Sequence, residues 1–124
     1  MTDGIDEQFE RLLRKHAPVV GETARRARAL IHEAMLSPVE EVDAASGLLA
    51  IGTSQRMRDL LFAIIPHTAH VNIQLIDGVD LPDPTGIVEG TGKRVRHLKC
   101  RSIPDVERPA VRDVIAAQAA LRRS

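Results

Sequence analysis

At 124 residues, with 17 basic and 17 acidic side chains and no net charge, the chain fits one domain over 1–124 that can bury a core without disulfides or metal. Balanced charge argues against general electrostatic capture of nucleic acid or of an anionic membrane, so any such binding must be local. Only 2% of the residues are aromatic, Phe9 and Phe62, which removes the usual stacking hardware of single-strand and sugar sites.

Ile5, Phe9, Leu12 and Leu13 recur at helical spacing, with Asp3, Asp6, Glu7 and Glu10 at the dipole's favourable end; this predicts a short helix ending near His16. Pro18 suits the first turn of a second helix, whose stripe of Val20, Ala24, Ala27, Ile31 and Ala34 or Met35 lies opposite Arg25, Arg26 and Glu33. Ser37-Pro38 stops it. Val39 and Val42, among Glu40, Glu41 and Asp43, read as a short acidic edge strand. The apolar runs Gly47 to Ile51 and Leu60 to Ile65 are too short for stable helices and read as strands paired across the turn Gly52-Thr53-Ser54-Gln55.

From His70, Val71, Ile73 and Leu75 alternate with Asn72 and Gln74, predicting a strand with one core face, closed by the turn Asp77-Gly78. Asp83 can cap and Pro84 can open a one- or two-turn helix through Ile87 and Val88, which Gly90 would end in a left-handed conformation. Val95 to Ser102 reads as another strand. Pro109 starts a last helix carrying Val111, Val114, Ile115, Ala119 and Leu121 toward the core, with Arg122 and Arg123 suited to its C-terminal end.

The order predicts an α+β fold: an antiparallel sheet of about five strands, with two N-terminal helices and one C-terminal helix on one face. The runs around Leu49 and Phe62 are apolar at consecutive positions, so both faces of those strands avoid water while helices cover one. The second face is expected to meet its own cavity, an apolar ligand, or a second copy in a homodimer. Cys100 is the single cysteine, which excludes an internal disulfide and suits a reducing cytoplasm. The opening Thr2, Asp3, Gly4 and Asp6 lacks the basic-then-apolar pattern of an export signal. No apolar stretch approaches the roughly 20 residues that span a bilayer.

His70-Val71-Asn72-Ile73, Leu81-Pro82-Asp83-Pro84, Gly86, Glu89-Gly90-Thr91-Gly92-Lys93 and Arg96-His97-Leu98-Lys99 together resemble the YdhG-like bacterial family over about the C-terminal half. Before Phe62 the likeness fades: family members often carry aromatic residues where this chain has Leu48, Leu49 and Ile51. The resemblance implies an α+β fold with an antiparallel sheet and no established enzymatic activity. Some relatives are described as intracellular iron chaperones, so it also implies metal handling as an alternative. It supplies no catalytic residues.

Three groups are candidate sites. Gly90, Thr91 and Gly92 precede Lys93, Arg94 and Arg96, so a flexible turn with exposed N–H groups can meet a small anion beside charged, forked donors. The same residues also suit a turn followed by a strand kept soluble by its cations. His67, His70 and His97 can form a metal set if their strands converge, although the chain reverses at Pro66, so His67 and His70 need not face each other. Cys100 shares its strand face with Leu98, while Lys99 and Arg101 project oppositely, which predicts a buried thiol. No nucleophile and base stand at recognisable spacing. The expectation is a non-enzymatic, cytoplasmic binding or interaction domain with no cofactor.

Overall fold

The computed structural model describes residues 4–121. The chain order is α1 (Ile5–Leu13), α2 (Pro18–Ala34), β1 (Val39–Asp43), β2 (Leu48–Gly52), β3 (Leu60–Pro66), β4 (Val71–Leu75), β5 (Arg96–Cys100), α3 (Ile103–Val106) and α4 (Pro109–Leu121). The strands form one antiparallel sheet in the order β1-β2-β3-β4-β5, each joined to its neighbour in sequence. The fold is α+β, as the periodicities predict. No helix among the described residues is long and apolar enough to cross a membrane.

Cross-strand partners project to the same side of a sheet, so the register assigns its faces. One row runs Val42–Leu49–Ile64–Ile73–Leu98, and the next runs Glu40–Ile51–Phe62–Leu75–Arg96. Leu49, Ile64, Ile73, Ile51, Phe62 and Leu75 are fully buried. They join Phe9 and Leu13 of α1, Ala24 and Ile31 of α2, and Val114 and Ile115 of α4 in one hydrophobic cluster. Each such side chain contributes about 1.5–3 kcal/mol by leaving water. The helices therefore lie on this side of the sheet, with α2 packed on β3, β4, α3 and α4.

Glu40 sits on the helix side, where a carboxylate must be paired to be tolerated. Arg28 of α2 grips it through two hydrogen bonds of 2.8 and 2.7 Å, and His32 approaches to 3.0 Å. Arg28 also reaches Asp6 of α1 at 2.8 Å and lies 5.3 Å from the centre of the Phe9 ring. Burial alone would raise the Glu40 carboxyl, but the hydrogen bonds from Arg28 and His32 hold it below its ordinary value. One guanidinium thus ties both N-terminal helices to the edge strand.

Four expectations need correction. The helix through Ile87 and Val88 does not form: the Asp83 carboxylate takes both N–H groups, at 2.9 and 3.1 Å, and Gly86 has φ +67°. A side chain thereby replaces the carbonyls a helix would have used. The single-turn α3 was missed because four residues carry no readable period; the Asp105 carboxylate closes it onto the Arg101 N–H at 2.8 Å. The strand expected over Val95 to Ser102 pairs only over Arg96–Cys100. Leu121 is half-exposed instead of facing the core. Asp3, Arg122 and Arg123 lie outside the described residues.

Candidate functional site

The alternate residues of the strands make the sheet's second face. One row runs Glu41–Ala50–Ala63–Gln74–His97, and His97 pairs on its outer side with Glu89. In the next row Asp43 pairs with Leu48, Ile65 with Asn72 and Asn72 with Lys99, with Leu48 following Leu49 into place beside Ile65. All four helices pack elsewhere, so Leu48, Ala50, Leu60 and Ile65 stay only partly buried. The β1–β2 turn and the connection between β2 and β3 rise at the two ends and leave a trough of about 690 Å³. Leu48, Ala50, Leu60 and Ala63 line it, together with Met57 and Arg56. Met57 is 86% exposed. The Asn72 Oδ1 atom is buried on this face without a hydrogen-bond partner among the described residues.

The glycine-basic segment lies off this trough, at the far side of β5. Gly90 has φ +116°, a conformation L side chains rarely adopt, and a Cβ on Gly92 would stand 2.7 Å from the Val95 carbonyl oxygen. The geometry therefore requires both glycines. Two of the three cations are engaged within the chain. Arg94 donates to the Asp77 carboxylate at 2.7 Å, and that carboxylate is 4% exposed. Gln118 of α4 completes the arrangement, donating to Asp77 at 2.9 Å and accepting the Asp77 N–H at 2.8 Å. Arg96 donates to the Gly92 carbonyl at 2.8 Å. Thr91 and Lys93 are exposed.

This assigns Arg94 a measurable structural role. Arg94→Ala removes a partner from a buried carboxylate, but its own exposure of 63% discounts the loss to about 1–2 kcal/mol. Thermal unfolding checks this: an unchanged midpoint would mean that the Asp77 contact is not held in solution.

His67 and His70 do meet, although the reversal at Pro66 did not require it. They flank a two-residue hairpin turn, Thr68-Ala69, closed by the His67 N–H donating to the His70 carbonyl at 2.8 Å. Their rings stack with centroids 4.6 Å apart and planes 20° from parallel. Partial burial, followed by the neighbouring charges of His67, Lys99, Arg101 and His97, lowers the His70 pKa. His97 sits opposite Gln74, four residues along β4 from His70, or about 13 Å at strand spacing. Among the described residues no group of three His, Cys, Asp or Glu side chains is placed to hold a metal.

Cys100 is buried on the helix side of β5, opposite Val71. Burial, reinforced by Asp105, pushes its thiol up to about 11. The native protein should therefore resist thiol reagents at neutral pH and react only after denaturant opens it. Rapid modification of the folded chain would contradict this placement.

No family model matches this chain. No curated protein and no solved structure matches it significantly. The functional reading accordingly rests on this geometry and on the residues themselves.

The trough was only half visible in sequence. The consecutive apolar runs signal a strand pair with two dry sides. The alternation in β4, and the polar positions of β1 and β5, mark the other edge of the same face. Met57 carries no sequence signal, because it lies in a single 3₁₀ turn, Met57–Asp59, between two strands.

Proposed function

We propose that this chain is a non-catalytic binding domain that uses the helix-free face of its sheet as a recognition surface, with the trough between β1 and β3 at its centre. The observation that carries the reading is that trough, floored by Ala50 and Ala63, walled by Leu48, Leu60 and Met57, and bordered by polar groups that include Glu41, Arg56 and Gln74. Apolar surface gathered in a concavity is where a partner or ligand gains most by excluding water. The unpartnered Asn72 oxygen on the same face supports it, since buried acceptors are ordinarily satisfied. The engagement of Arg94 by Asp77 and of Arg96 by the Gly92 carbonyl favours this face over the glycine-basic segment as the contact surface.

A YdhG-like assignment and a cytoplasmic setting belong to the same proposal. They rest on the residue string from His70 to Lys99 and on the single unpaired cysteine, Cys100.

Nile red, a neutral dye that brightens in apolar sites, tests the reading on dilute protein. The folded chain should bind it saturably, and Leu60→Glu combined with Ala50→Glu should abolish the signal while circular dichroism stays unchanged. Undiminished binding in that double variant would place the apolar site elsewhere.

A further inference from the structure

The helix-free face carries its charges in a defined order. Asp43 and Glu41 stand on β1 at one edge, and Lys99 and His97 stand on β5 at the other, with apolar and amide side chains between. Among the described residues neither Glu41 nor Lys99 has an ion-pair partner closer than 4.0 Å. Asp43 accepts the Ser46 N–H at 3.0 Å and is also engaged by the Ser46 side chain and the Ala45 backbone, yet it stays exposed to solvent. Arg56 borders the trough near the acidic edge, but along the two paired rows the order runs from acid on β1 to base on β5, which is self-complementary if the platform meets a reversed copy of itself.

We propose that the occupant of this face is a second copy of the chain, related by a two-fold axis that runs parallel to the strands over β3. This rests on the reading that the face is a recognition surface. Such an axis reverses the order of strands but keeps position along them. It sets β1 over β5 of the second copy, β2 over β4, and β3 over β3. Asp43 then meets Lys99, and the reciprocal contact forms by symmetry. Glu41 falls over His97 in the neighbouring row, with a smaller gain because Glu89 already lies beyond His97 there.

The alternative axis, across the strands, would lay β1 on β1 and β5 on β5. It would bring Asp43 toward Asp43 and Lys99 toward Lys99, so the charge order selects the first arrangement. Antiparallel sheets packed face to face keep their strands within about 30° of each other, which this axis allows.

Size sets the strength. Five strands about 4.8 Å apart, each advancing about 3.3 Å per residue, make a platform of about 20 by 17 Å. Even with side-chain relief and the exposed Met57 connection, that is at the small end against the roughly 800 Å² per partner of a standard interface. The dimer should therefore dissociate in the micromolar range.

Sedimentation equilibrium over a concentration series tests the inference. The wild-type chain should pass from monomer to dimer as concentration rises, and Nile red should be displaced in step. Lys99→Glu should weaken association about tenfold or more, because it sets like charges together at two symmetric contacts. Asp43→Lys should do the same, with Glu41→Lys as a companion that leaves the Ser46 turn intact. Combining Lys99→Glu with Asp43→Lys should restore association to within about threefold of wild type. A chain that stays monomeric throughout but still binds Nile red overturns the second-copy proposal and leaves the recognition face standing. A dimer indifferent to both charge reversals forms through another surface and also overturns it. A chain that neither dimerises nor binds the dye removes the underlying reading as well.

Discussion

Arg28→Ala should lower the unfolding free energy by about 3–5 kcal/mol, because it strands a carboxylate that is 6% exposed. Glu40 would keep only His32, and α1 would lose the guanidinium that links Asp6 and the face of Phe9 to the sheet. For a chain of this length the midpoint should fall by about 10 °C or more. The sign is not that of a simple salt-bridge gain, because desolvating two charges offsets most of their attraction. Arg28→Met combined with Glu40→Leu should therefore cost less than Arg28→Ala alone. Thermal or urea unfolding of the three proteins decides it; a double variant worse than the single would mean the pair is a net stabiliser.

The same carboxylate gives a pH signature. Its folded pKa lies below the ordinary 4.5, so its contribution to stability is complete above 4.5 and is lost as pH falls through the folded value. Glu40→Gln should flatten that part of the stability profile.

Phe62→Ala should cost about 3–5 kcal/mol, whereas Leu60→Ser, two residues earlier on β3, should cost under about 1 kcal/mol in the monomer. The contrast follows from which way each side chain points. Phe62 lies in the row Ile51–Phe62–Leu75 under the helices and is fully buried, and nothing the size of a phenyl ring is at hand to refill its place. Leu60 stands on the far side of the bulge between Ile51 and Gly52, where it borders the trough and keeps part of its surface in water. Its loss should instead weaken whatever the face binds. Equal costs at the two positions would mean that both faces are packed within one chain.

Most of the architecture was legible because it is periodic. The stripes of α1 and α2, Pro18 and Pro109 at helix starts, and the alternation of β4 each state a geometry that the packing then uses. What was not legible depended on single hydrogen bonds. Asp83 could cap a helix or fold a loop around its own carboxylate, and the residues that follow suit either. Arg94 reads as a surface cation until Asp77 and Gln118 are seen to share a buried niche 41 residues apart in sequence. The candidate face was readable as a surplus of apolar surface. Its charge order was not, because that order exists only once five strands are set in register.

Hydroxyl-radical footprinting across a concentration series tests most directly whether the helix-free side of the sheet is a contact surface. Met57 and Leu60 border the trough, and Leu36, which is 91% exposed on the helix side, serves as the internal reference. Each residue is compared with its own value in dilute solution. Protection of Met57 and Leu60 as concentration rises, with Leu36 unchanged, is the predicted result. Oxidation of Met57 and Leu60 that does not change with concentration, or protection that appears at Leu36 instead, would contradict it.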